Sequence, residues 1–191
     1  MEKIQEIRLH GRGGQGTVTA AELIAVAAFY DGKFSQAFPS FGVERRGAPV
    51  SAFCRISGEK IRLRAQIYQP DFIIIQDAGL ITTDPSVLQG AEKCRGILIN
   101  SEKKDWPEIK NKNVITVPAT KIALEKIGKP FINTALIGAF TAMSKLATLG
   151  SLRRAVEERF PPEVAASNIA AMQAAYDCVE VKIKEYKFSS I

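Results

Sequence analysis

Residues Ile4 to Leu9 alternate apolar and polar side chains, the period-two pattern of a strand. The run HGRGGQG follows at 10–16, and from Thr17 to Tyr30 the apolar positions Val18, Ala21, Leu23–Ala25 and Ala28–Phe29 recur at helical spacing on a broad face. Asp31-Gly32 predicts the end of that helix, with the glycine in a left-handed C-cap conformation. Lys33–Phe38 predicts a second strand, and 39–49 a loop rich in Gly, Pro and charge. Val50–Ile56 and Ile61–Ile67 both alternate and predict an antiparallel hairpin turning at Ser57-Gly58. Phe72–Gln76, Gly96–Asn100 and Asn113–Val117 are continuous apolar runs, as in strands buried on both faces of a parallel sheet. Ala119–Ile127 predicts a short helix stopped by Gly128 and Pro130. Asn133 predicts the cap of a helix through Leu146, apolar nearly all round and therefore buried. Helices over Ser151–Phe160 and Glu163–Tyr186 close the chain, with Pro161-Pro162 at the first turn of the last.

This order of elements predicts an α/β fold: a three-layer, doubly wound, Rossmann-like mixed sheet with an inserted antiparallel hairpin, as a single domain over 1–191. Composition changes the picture little. Hydrophobic residues are 46% and charged residues 24%, which is ordinary for a globular protein. Apolar runs such as Thr134–Met143 are too short for a bilayer, and the first residues have no signal-peptide pattern, so a cytoplasmic protein without membrane contact is expected. The net charge of +6 is spread among acids and is not interleaved with aromatics. It points to a phosphorylated ligand or an acidic partner rather than to nucleic acid. Cys54, Cys94 and Cys178 are isolated, with no CxxC pair, which argues against a metal or iron–sulfur site on this chain.

The chemistry lies in two stretches. Gly11-x-Gly13-x-x-Gly16 stands between a predicted strand and helix, the context of a dinucleotide fingerprint. On that reading Gly11 permits a tight turn, Gly13 lets backbone approach a pyrophosphate, and Gly16 lets the helix sit close to the strand. The helix N-terminus would direct unpaired N–H groups at an anion, with Arg12 and the Thr17 hydroxyl as further donors. The candidate binding residues are Gly11, Arg12, Gly13, Gly14, Gln15, Gly16 and Thr17. No acid ends the second predicted strand, as a ribose of NAD requires, and no Lys-Ser/Thr follows Gly16 as in a Walker A loop. A phosphate-bearing ligand other than NAD, a turn needed only for packing, and NAD or FAD remain the readings, in that order. The second stretch, QAFPSFGVERRGAPVSAF, places Phe38 and Phe41 in a charged loop, as at interfaces. Phe41, Glu44, Arg45, Arg46 and Gly47 are candidates for an interface or phosphate contact, the alternative being a surface loop held by Glu44–Arg pairing. His10 reads first as a structural histidine and second as a base, Asp77 as either a ligand group or a turn cap, and Asn133 as a helix cap.

HGRGGQG, QAFPSFGVERRGAPV and IRLRAQIYQPDFIIIQD, continued by VPATKIALEKIGKPFINTALIGAF and LRRAVEERFPPEVAASNIAAM, resemble the gamma subunit of 2-oxoacid:ferredoxin oxidoreductases over nearly the whole chain, the pyruvate synthase branch best. The resemblance implies a heteromeric enzyme that interconverts pyruvate, coenzyme A and oxidised ferredoxin with acetyl-CoA, CO2 and reduced ferredoxin. It implies thiamine diphosphate, Mg and [4Fe–4S] clusters on the alpha, beta and delta partner subunits, and an isolated chain without activity. It makes this chain a scaffold that contributes to the coenzyme A site through the glycine turn. The alternatives are a gamma subunit serving 2-oxoglutarate or a branched-chain 2-oxoacid, and a stand-alone nucleotide-binding protein.

Overall fold

The computed structural model describes residues 3–40, 47–111 and 113–188, with side chains described as far as 184. Six strands, β1 (Gln5–Arg12), β2 (Phe34–Pro39), β3 (Pro49–Ser57), β4 (Phe72–Ile75), β5 (Gly96–Asn100) and β6 (Val114–Val117), form one sheet in the order β2-β3-β1-β4-β5-β6. β1, β4, β5 and β6 run parallel, while β3 is antiparallel to β1, and β2 to β3. The result is the predicted mixed α/β sheet with helices on both faces.

The two faces are unequal. Ile7 and Leu9 of β1, with Ile74 of β4 and Leu98 of β5, point into a large core shared with α1 (Thr17–Tyr30), α3 (Ala119–Ile127), α4 (Asn133–Ser144), α5 (Leu149–Arg159) and α6 (Pro162–Phe188). The alternate positions Ile73, Ile75, Ile97 and Ile99 meet a thin cover: α2 (Leu80–Thr83), two 3-10 turns at Pro85–Leu88 and Ala91–Lys93, and Ile109. Helix α4 is buried without a break from Thr134 to Ala142, as its all-round apolar sequence requires. Among the described residues no helix is long and apolar enough to cross a membrane.

The antiparallel hairpin forms, but its arms are β2 and β3, joined across residues 40–48. The predicted pairing of Val50–Ile56 with Ile61–Ile67 is not made, because β1 and β2 already occupy both edges of β3. Residues 61–67 instead cross the face of the sheet as a strap, tied down by side chains. Gln36 Nε2 donates to the Leu63 carbonyl at 3.1 Å, Arg55 Nη2 to that of Ala65 at 2.6 Å, and Arg8 Nη1 to that of Ile67 at 3.4 Å. Arg55 is almost wholly buried, ion-paired to Glu6 at 2.8 Å, with its guanidinium over the Phe38 ring. Ile67 is the strap's buried anchor, whereas Leu63 stays about half exposed.

Three boundaries also differ from the predicted ones. Asn133 is the first residue of α4 rather than its cap, since Ile132 occupies the cap position, although Asn133 Oδ1 still accepts from the Thr134 N–H at 3.0 Å. That helix stops at Ser144, where Lys145 takes a left-handed φ of 54°, and so does not reach Leu146. Helix α5 begins at Leu149 because the Thr148 hydroxyl accepts from the Ser151 N–H, while Asp31 accepts from the Thr148 N–H and the Ser151 hydroxyl. One carboxylate at the end of α1 thus organises the start of α5.

Candidate functional site

β1 continues through Gly11 and Arg12, which pair in register with Val50 and Pro49, so the turn proper begins at Gly13. The expectation that Gly11 makes the tight turn is therefore corrected. The left-handed residues are Gly14 (φ 95°) and Gly16 (φ 72°), a conformation that glycine adopts without steric cost. Gly11 is glycine for another reason. A Cβ there would overlap Gln76 Oε1 and lie 2.5 Å from Thr17 Oγ1. At Gly16 a Cβ would lie 2.8 Å from Asn133 Nδ2, so its close approach is to the start of α4 rather than to the strand.

The two stretches singled out in the sequence meet here. The Gly13 N–H donates to the Ala48 carbonyl at 2.9 Å, and the Gly47 N–H donates to the Gly13 carbonyl at 3.1 Å. Arg12 Nη1 adds a longer bond, 3.3 Å, to the Gly47 carbonyl. The glycine turn is zipped to the segment leading into β3. Phe41, Glu44, Arg45 and Arg46 lie outside the described residues.

Arg12 Nε donates to Asp77 Oδ2 at 2.5 Å, and Asp77 Oδ1 accepts from the Gly79 N–H at 2.9 Å. Asp77 is therefore a turn cap that also neutralises Arg12 at the carboxyl end of β4. Gln15 folds back so that its Oε1 accepts from the Arg12 N–H at 2.8 Å. Beneath them Thr17 Oγ1 donates to Gln76 Oε1 at 2.5 Å. Gln76 is 1% exposed, and its Nε2 is buried without a partner among the described residues. Sequence reasoning missed Gln76 as a site residue. Its signal was a lone amide closing an apolar run at a strand's carboxyl end, the edge where open α/β sheets bind ligands.

Helix α1 starts at this turn with no side-chain cap and no acid in its first turn. Its N-terminal amides and positive dipole end are suited to an anion. Thr17, the first helical residue, is buried, whereas Gly14 at the tip of the turn is exposed. The groups present can hold a phosphate by backbone donation, with Arg12 held by Asp77 at the rim.

His10 is not placed to act as a base. It is 4% exposed, and its Nε2 accepts from Arg8 Nε at 2.8 Å. Burial first, and the adjacent Arg8 charge second, push its pKa down to about 3. Folding therefore keeps His10 neutral, and the stability this confers is present above the ordinary histidine pKa and lost as pH falls toward 3. His10→Gln, which keeps an acceptor for Arg8, should remove roughly 3 kcal/mol of the stability lost between pH 6.5 and pH 4. Urea unfolding of both proteins across that range measures the difference, and parallel pH curves would refute it. Burial likewise raises the thiol of Cys94, to about 11, and that of Cys54. No group of three or more His, Cys, Asp or Glu side chains gathers as a metal site among the described residues.

Comparison with known proteins fits this geometry. The sequence model of the pyruvate ferredoxin/flavodoxin oxidoreductase family matches residues 6–178. The chain is 48% identical over 172 residues to pyruvate synthase subunit PorC of Methanocaldococcus jannaschii, covering 90% of this chain and 95% of that one. It is 44% identical over 182 residues to the common subunit gamma of the pyruvate/ketoisovalerate oxidoreductases of Pyrococcus furiosus, covering 92% and 97%. The crystal structure of pyruvate oxidoreductase subunit PORC from Thermotoga maritima superposes with a TM-score of 0.77 at 34% identity, over 92% of this chain and 96% of that one. The 2-oxoglutarate:ferredoxin oxidoreductase of Magnetococcus marinus, solved with 2-oxoglutarate, coenzyme A and succinyl-CoA bound, shares the fold at 19% identity. Its TM-score is 0.74, over 95% of this chain and 32% of that longer chain. The sheet with its antiparallel hairpin, the glycine turn leading into α1, and identity close to one half along nearly the whole length agree: this chain belongs to the pyruvate ferredoxin/flavodoxin oxidoreductase family, in the branch of the gamma subunits of pyruvate synthase.

Proposed function

We propose that the chain is a single gamma-type unit that completes the coenzyme A site of a pyruvate-oxidising complex through the turn at Gly11–Thr17. The observation that carries this reading is the α1 N-terminus, which has no side-chain cap and no acid in its first turn, at the carboxyl edge of the parallel strands. Coenzyme A presents a pyrophosphate, which backbone amides recognise. It needs no acid at the end of β2, and Phe34–Pro39 contains none. Coenzyme A in the related Magnetococcus structure supports the same ligand class.

The redox chemistry belongs to the alpha, beta and delta subunits in this reading. Held by those subunits, thiamine diphosphate with Mg would supply the decarboxylation chemistry and [4Fe–4S] clusters the electron transfer. Cys54 and Cys94 lie in separate cores on opposite faces of the sheet, apart rather than gathered as cluster ligation requires. The name of the Pyrococcus subunit, common to pyruvate and ketoisovalerate enzymes, supports 2-oxoacid selection by other subunits. Arg45, Arg46 and Phe41 then serve the contact with those subunits or with the ligand's phosphates.

In the assembled complex, Gly13→Val should raise the KM for coenzyme A about tenfold and leave that for pyruvate within about twofold. Equal changes in both constants, or none, in an intact complex would overturn the coenzyme A role.

A further inference from the structure

The strap at 60–68 takes no part in the site around the glycine turn. It lies on the thinly covered face of the sheet, where Arg8 reaches both Ile67 and the 3-10 turn at Pro85–Leu88. Lys60, Arg62, Leu63 and Arg64 are exposed, and Tyr68 has 59% of its surface open. Glu59 is the one acid between 58 and 70. Among the described residues no carboxylate pairs with Lys60, Arg62 or Arg64. Arg62 and Arg64 stand two residues apart, about 7 Å along an extended chain. Cations this close repel one another, and facing carboxylates relieve the repulsion as they pair.

The backbone of the strap is open as well. Among the described residues no N–H or carbonyl of 60–69 bonds to another backbone group. The carbonyls of Leu63, Ala65 and Ile67 are taken by Gln36, Arg55 and Arg8, side chains rising from the sheet. Between them, the carbonyls of Arg62, Arg64 and Gln66 accept no bond among the described residues. The strap is gripped at alternate residues from below and keeps a row of unpaired backbone groups, the feature by which a strand edge receives another chain. Arg8 and Arg55 are themselves nearly buried, so the grip belongs to the core of the molecule. Order supplied in this way within the chain is order that a partner need not impose on binding.

We infer that the strap is a docking edge for an extended, acid-rich segment of a partner subunit in the oxidoreductase complex. Charge complementarity sets the occupant: Lys60, Arg62 and Arg64 call for Asp and Glu, and a second copy of the strap would bring only like charge. Backbone pairing along the open side fixes the register of the segment, while Leu63 and Tyr68 give it apolar contact. This role is independent of the glycine turn, since the variants below are read by assembly rather than by the KM for coenzyme A.

The test is reassembly of the full chain with its partner subunits, followed by analytical ultracentrifugation over a range of NaCl concentrations. R62E/R64E should weaken association about tenfold or more at about 0.05 M NaCl and less than about threefold at about 0.5 M, because salt screens exposed pairs. The control K126E/K129E makes the same change in charge on α3 and should assemble within about twofold of the wild type. Unaltered association of R62E/R64E, a loss that salt does not reduce, or an equal loss in the control would each overturn the assignment. A second measurement needs no loss of binding. Leu63→p-benzoylphenylalanine, at a half-exposed position of the strap, should photo-cross-link in the assembled complex to a partner peptide richer in Asp and Glu than in Lys and Arg. Cross-links to a second copy of this chain, to nucleic acid or to a basic segment, or none at all, would likewise overturn it.

Discussion

Arg8→Met should destabilise the protein by about 4 kcal/mol, enough to move the urea midpoint down by roughly 2 M for an m-value near 2 kcal/mol/M. Arg8 lies on β1 with 4% of its surface exposed, and burial depresses its guanidinium pKa without a carboxylate bonded to it. Backbone carbonyls satisfy it instead. Nη1 reaches those of Ile67 and Tyr68, and Nη2 those of Ser86, Val87 and Gln89, the last at 2.5 Å. Nε donates to His10. Methionine fills similar volume but leaves these acceptors without their donor, and a buried acceptor left unmet costs about 1–3 kcal/mol. Arg8→Lys should recover less than half of the loss, because one ammonium cannot reproduce a planar five-donor fork. Amide exchange should accelerate first in residues 61–68 and 84–90, the two segments that the guanidinium joins. A midpoint shift below about 0.5 M would refute this account.

Gly138→Ala is the second large effect, with an expected net loss of about 3 kcal/mol. In an exposed helix this substitution is favourable by about 1 kcal/mol, so propensity predicts the opposite sign. Here α4 lies directly against α6. A Cβ on Gly138 would overlap the Met172 carbonyl oxygen and stand 2.9 Å from both the carbonyl carbon and Cγ of Met172. Two of these atoms belong to the backbone of a long helix and have no alternative rotamer. Relief requires the helices to separate, which loosens a region buried continuously from Thr134 to Ala142. Thermal and urea denaturation of the variant test the sign directly. Stabilisation would mean that the α4–α6 contact is looser than described.

Much of this architecture is legible in one sequence, for identifiable reasons. Phe72–Ile75 is apolar at four successive positions and is buried at all four, because parallel strands are covered on both faces. Helix α1 has the boundaries its spacing predicts, Thr17 to Tyr30. The segment 61–67 misleads because alternation reports that one side of a chain meets apolar neighbours, not that a strand edge is free to receive it. What holds that segment is Arg8, Gln36 and Arg55, polar residues on the sheet face that the same alternation marks as outward.

The glycine turn shows the same division. Its place between strand and helix is local information, and the pattern located it. The role of each glycine depends on what occupies the space where a side chain would be. That is Gln76 and Thr17 for Gly11, and Asn133 for Gly16, contacts made by chain folding rather than by sequence neighbours. Arg12 reads in the sequence as a further donor to an anion, but folding gives it Asp77, which lies 65 residues away.

The lopsided layering has a consequence for how the protein breathes. On one side the strands rest on five helices; on the other, among the described residues, they are roofed by a single short helix, two tight turns, the strap at 61–67 and a few apolar side chains. Local opening follows the path of least buried apolar contact, so fluctuation is channelled into the roof, while the junction of first strand and first helix stays seated on the heavier side. In the coenzyme A role proposed for it, the glycine turn would gain from that arrangement: its amides would keep their aim while the opposite side of the molecule absorbs the motion.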